Sequence, residues 1–88
     1  MATSGYRADM AKKAEAGVRE RFGFAVRSGR ETLGLTQEDL AEAAGLHRTY
    51  LSDVERGRRN PSLVIIARLA AALQMPASGL FKIMEASD

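Results

Sequence analysis

Arg48, Thr49, Ser52 and Asp53 fall within six residues, and Arg56, Arg58, Arg59 and Asn60 follow almost at once. A guanidinium is a planar fork of donors that fits phosphate oxygens, or the O6 and N7 edge of guanine, with two hydrogen bonds. The Thr49 and Ser52 hydroxyls donate or accept, and the Thr49 methyl suits thymine. A carboxylate at Asp53 accepts from a cytosine amine or orients a neighbouring arginine, Arg48 or Arg56; repulsion from phosphates favours the orienting role. Covalent chemistry finds no such support. His47 is the sole histidine, cysteine is absent, and neither a nucleophile–base set nor a glycine-rich phosphate loop with its lysine is present. Glu38, Asp39 and Glu42 read as a solvated helix face rather than a metal cluster. No enzyme activity, cofactor or metal is expected.

Rigid elements must present these side chains. Across residues 37–56, Leu40, Leu46, Leu51 and Val54 are apolar, Ala41 and Ala44 are small, and Gly45 stands between two helical halves. Thr36 is a natural N-cap, and Glu38 and Asp39 place negative charge where the helix dipole favours it. Gly45 suits the left-handed residue that stops the first half. Ala41 lies four residues earlier, where a second helix must cross closely. The spacing predicts helices over 37–44 and 48–55 across a sharp turn, the helix-turn-helix pattern, whose second helix enters the major groove of DNA. An ordinary helical hairpin needs only the apolar spacing. The small residue and the turn glycine together favour the DNA-binding arrangement.

The formal net charge is only +2. Non-specific attraction to DNA scales with the phosphates neutralised, so affinity here has to come from local segregation of charge. Residues 36–45 carry three acids and no base, whereas residues 46–62 carry Arg48, Arg56, Arg58 and Arg59 against Asp53 and Glu55.

Eighty-eight residues support one domain that buries about two-thirds of its unfolded surface. Such a core is thin, and a partner subunit would reinforce it. Hydrophobic residues at 45% exclude a disordered tail, and the lack of cysteine excludes a disulfide scaffold and fits a reducing compartment. No apolar run reaches membrane-spanning length, and the N-terminus lacks a signal-peptide layout. A cytoplasmic protein is expected, with no membrane partner.

Residues 1–16 read as an N-terminal extension, partly flexible or helical, and residues 17–88 as the DNA-binding domain. Val18, Phe22, Ala25, Val26 and Leu33 form one helical stripe, ended by Gly34. Gly57 ends the third helix, and Pro61 closes the basic loop. Ser62 caps a fourth helix that is apolar around much of its circumference (Leu63, Ile66, Ala67, Leu69, Ala70, Leu73). Pro76 breaks it, and Ser78 is a candidate cap for a fifth. No strand pattern occurs, so an all-α fold of five helices is expected.

Leu51 and Val54 share one face of the third helix and must point inward, leaving Arg48, Thr49, Ser52 and Asp53 outside over base edges. Arg48 is the first choice for guanine. Thr36 and Gln37 open the second helix, where backbone N–H groups and a side-chain amide can hold a phosphate. His47, Tyr50, Arg56, Arg58, Arg59 and Asn60 are the other backbone candidates, Tyr50 ranking below the arginines because its ring suits the edge of the core. Arg30 and Glu55 are placed to meet as an ion pair behind the recognition helix. Leu80, Phe81, Ile83 and Met84 offer more apolar surface than a small core covers, which suggests a two-fold dimer with the last helix at its seam. Pairing would roughly double the contacts of one weak reader.

Phe22-Gly23, Arg30, Gly34-Leu35-Thr36-Gln37, Leu40-Ala41, Ala44-Gly45-Leu46, Val54-Glu55-Arg56-Gly57 and Asn60-Pro61-Ser62-Leu63 resemble the phage repressor and Cro-like (XRE-type) helix-turn-helix family. Within it, His47-Arg48-Thr49-Tyr50 and Met75-Pro76-Ala77-Ser78 with Leu80-Phe81 look most like controller proteins of restriction–modification systems. The resemblance covers about residues 20 to 84. It implies a lambda-repressor-like fold, an operator in double-stranded DNA, a homodimer and RNA polymerase as a further partner. It also implies phosphate contact at Gln37, base contact at Arg48 and Thr49 with Ser52 or Asp53, and the Arg30–Glu55 pair. Antitoxins that repress their own operon and phage-type repressors share the same core and form the alternatives. The charged Asp53 and the long N-terminal extension depart from the pattern, so base identity does not transfer.

Overall fold

The computed structural model describes residues 4–86; residues 1–3 and 87–88, counted above in the extension and the domain, lie outside the described residues. It consists of α1 (Ser4–Thr32), α2 (Gln37–Ala44), α3 (Arg48–Glu55), α4 (Leu63–Ala72) and α5 (Ala77–Ala86). No strand occurs among the described residues, and no single helix there is long and apolar enough to cross a membrane.

α1 runs unbroken for 29 residues, about 44 Å at 1.5 Å per residue, and passes straight through the expected boundary at 16–17. Its alanines, lysines and glutamates outweigh the helix-weakening Gly17. Phe22, Ala25 and Val26 bury its inner face, and Phe22 meets Phe81 of α5 in a tilted ring contact at 6.5 Å. Val18 and Leu33, expected on the same buried stripe, are exposed, because the stripe outruns the helices that cover its middle. At Gly23 the rod touches backbone: a Cβ there would stand 2.5 Å from the carbonyl oxygens of both Val54 and Glu55. The hydrogen side chain is what lets α1 lie directly on the end of α3.

The start of α2 is a capping box. The Thr36 hydroxyl accepts from the Asp39 N–H, and the Thr36 N–H donates to the Asp39 carboxylate, both at 3.0 Å. The Thr36 backbone N–H first, and the Thr36 side chain beside it, hold the Asp39 carboxyl below its ordinary 3.8. A carboxyl depressed in the folded state adds stability above its unfolded pKa and loses it as pH falls through the folded one. Wild-type protein is therefore expected to lose urea stability as pH drops from about 5 to 3, and Asp39→Asn to remove part of that slope, as fluorescence-free circular dichroism titrations would read.

α2 ends at Gly45, whose left-handed backbone (φ 68°, ψ 40°) turns the chain into α3. Leu40, Ala41 and Ala44 are buried against α3 and α4, as the close crossing requires. Leu51 and Val54 face inward.

α4 is less enclosed than its apolar circumference suggests. Leu69, Ala70 and Leu73 are in the core and Ile65 and Ile66 are half-buried against it, but Ala67 is exposed and Leu63 is 78% exposed, so one face of the helix stays open. The helix ends before Pro76, with Gln74 taking a left-handed turn (φ 60°). α5 begins at Ala77, so Ser78 lies inside its first turn and is not the cap. Leu80, assigned above to a dimer seam, is 0% exposed and locked in the monomer core, which corrects that assignment. Phe81, Ile83 and Met84 are half-buried and keep apolar surface outward.

Candidate nucleic-acid interface

A part-buried polar knot sets the geometry. The Glu55 carboxylate accepts from Arg30 Nε at 2.7 Å, Arg30 Nη2 at 3.0 Å and the Gln37 side-chain amide at 3.0 Å. Arg30 also donates to the Leu35 carbonyl at 2.9 Å. The side chains of Arg30 and Glu55 are 13% and 4% exposed. The hydrogen bond to Glu55 raises the Arg30 pKa further, partly opposed by burial, so the guanidinium stays charged. One carboxylate thus ties the end of α1, the start of α2 and the end of α3. The Arg30–Glu55 pair foreseen from the sequence is present. The Gln37 amide nitrogen gives one hydrogen to this knot, and the half-buried residue also lines the open surface beside Thr36 and Arg48.

Arg48 is exposed in the first turn of α3, and among the described residues nothing pairs with it. It stands between two shallow clefts. One, of about 350 Å³, is lined by Arg30, Thr36, Gln37, Glu38 and Arg48; the other, of about 470 Å³, by the outer face of α2, Gly45, Leu46, His47 and Arg48. The start of α2 and the start of α3 therefore share one surface, with the Arg48 guanidinium between them. Thr49 is exposed beside it. His47 occupies the N-cap of α3, is exposed, and makes no side-chain cap bond.

Further along, the expected groups are brought together but paired differently. Asp53 accepts from Arg59 Nε at 3.3 Å, not from Arg48 or Arg56. The basic loop turns back after Gly57, and that places Arg59 over α3. Its guanidinium also lies 5.4 Å from the centre of the half-buried Tyr50 ring, a cation–π contact. Ser52 accepts from Arg56 Nη2 at 2.7 Å. Ser52 and Asp53 are therefore engaged with loop-side arginines, while Arg48 and Thr49 are not. Arg58 and Asn60 are exposed.

Arg68 escaped the sequence reading. From α4 its Nε donates to the Ala44 carbonyl at 2.9 Å and its Nη2 to the Gly45 carbonyl. A basic residue late in the sequence gives no local sign that it will cap a helix 23 positions earlier. Among the described residues no group of three or more His, Asp or Glu side chains is placed to hold a metal ion.

Residues 26–80 match the helix-turn-helix family model, and the chain belongs to that family. It is similar to the restriction-modification controller protein C.AhdI from Aeromonas hydrophila, with 48% identity and a TM-score of 0.69 over 70% of this chain and 94% of that one. It is also similar to the controller protein C.Esp1396I, solved as a tetramer with its natural 35 base-pair operator (29% identity, TM-score 0.73, 78% of this chain and 91% of that one). An uncharacterized helix-turn-helix regulator of Mycobacterium tuberculosis, Rv0474, is 42% identical over 59 residues, 67% of this chain; the chain spans 42% of that protein's length.

Proposed function

We propose that this chain is a sequence-specific transcription regulator that reads a pseudo-palindromic operator in double-stranded DNA as a two-fold dimer, in the manner of a restriction–modification controller. The observation that carries the reading is Arg48: an exposed, unpaired guanidinium in the first turn of the second motif helix, on a frame fixed by Arg30, Gln37 and Glu55. Base contact falls to Arg48 and Thr49. Arg58, Asn60, Thr36, His47 and the α2 first turn hold the backbone. Ser52 and Asp53 act mainly by orienting Arg56 and Arg59 toward phosphates. The function is binding, not catalysis. Phe81, Ile83 and Met84 supply the dimer seam without Leu80, and activation of a promoter would add RNA polymerase as a partner. The similar protein solved as a tetramer on its operator supports a dimer as the repeating unit.

Footprinting on DNA upstream of the chain's own gene tests the reading, since autoregulation predicts protection of two half-sites about one helical turn apart. Absence of protection at micromolar protein in low salt there, and on any panel of random-sequence selections, would sink it. The loop arginines give a second test. Arg58→Ala is expected to weaken cognate and random DNA alike and to reduce the salt slope by about one unit per subunit, about two for the dimer. Arg59→Ala is expected to do the same with a larger loss of affinity, because it leaves the Asp53 charge uncompensated near phosphates.

A further inference from the structure

We infer that Arg68 of α4 is a positioning residue for DNA reading: by holding the last carbonyls of α2 it fixes the angle at which α3 leaves the turn. The inference rests on the reading of α3 as the recognition helix and deepens it.

An α-helix leaves its final carbonyls without intrahelical partners. In α2 the backbone covers two of them, with the Leu46 N–H on Ala41 at 2.8 Å and the Gly45 N–H on Glu42 at 3.1 Å. The Ala44 and Gly45 carbonyls are taken by the Arg68 guanidinium. Its two donors span the last residue of α2 and the turn residue itself, so one planar group fixes both sides of the hinge. The packing is close. A Cβ on Gly45 would stand 2.6 Å from Arg68 Nη2, so the guanidinium head would have to shift to admit one. The positive charge also lies at the negative end of the α2 dipole. Arg48 begins three residues after Gly45, hence a small rotation at the turn moves its guanidinium across the groove. The main chain of α4 is anchored independently by Leu69, Ala70 and Leu73 in the core, which leaves the Arg68 head free to act on the turn alone.

The test compares wild type, Arg68→Met (similar reach, no donors), Arg68→Lys (one point charge for the fork) and Arg48→Ala on cognate and random duplexes across a salt series. Amide hydrogen exchange at Leu46 and His47 is followed in the free protein. Arg68→Met is expected to lower the cognate-to-random affinity ratio about tenfold, with an unchanged salt slope and faster exchange at the turn. Arg68→Lys is expected to recover part of both. An unchanged ratio, or a slope reduced by about one unit per subunit as for a direct phosphate contact, overturns the inference. If Arg48→Ala collapses the ratio while Arg68→Met leaves it intact, this inference alone fails. If Arg48→Ala itself leaves the ratio intact, the underlying reading of α3 fails. Should Arg68→Met not fold, Arg68→Lys decides: a wild-type ratio with wild-type exchange at the turn overturns the assignment.

Discussion

Glu55→Ala is expected to cost about 3 kcal/mol of folding stability, which for a domain of this size lowers Tm by more than about 10 °C. The carboxylate it removes accepts three hydrogen bonds, so the substitution strands the Arg30 guanidinium and the Gln37 amide together. The cost of breaking a buried pair from one side comes mainly from the charge left behind, typically 3–5 kcal/mol. The low end applies here because Arg30 keeps its bond to the Leu35 carbonyl and some contact with water. Urea unfolding of Arg30→Met, Glu55→Ala and the double variant measures the coupling. Values that add with no coupling would mean the knot contributes nothing beyond its separate side chains.

Arg48→Ala is expected to leave stability within about 0.5 kcal/mol of wild type and yet remove most of the discrimination. A bidentate arginine–guanine contact is worth about 1–3 kcal/mol, and a dimer makes it once per half-site, so cognate affinity should fall by about 10²-fold or more. Random DNA loses only the general attraction of one charge per subunit. Competition anisotropy at fixed salt separates the two. A cognate loss equal to the random loss would reassign Arg48 to the backbone.

Much of this was legible in the sequence where the determinants are local. Thr36 with Asp39 three residues on announces a cap, and Gly45 after a run of helix formers announces a left-handed stop. The inward spacing of Leu51 and Val54 fixes which face of α3 is outside. What escaped depends on partners far along the chain. Arg68 and Ala44 are 24 residues apart, and no periodicity joins them. The backbone approach at Gly23 is invisible because a glycine mid-helix reads only as a weak helix former. The bond from the Gln37 amide to Glu55 also spans 18 residues, so a glutamine in a helix's first turn does not announce it. Leu80 reads as one of four apolar residues in a run of five, and only the position of α1 and α4 around α5 decides that it, rather than Ile83, goes wholly inside.

Neither Arg48 nor Thr49 shares a bond with the knot that joins α1, α2 and α3. The reading head and the chassis are thus mechanically separate. Under the proposed reading, exchanging the two side chains is expected to rewrite the preferred word in DNA while the machine that presents them stays untouched, which would make positions 48 and 49 the place for retargeting this scaffold.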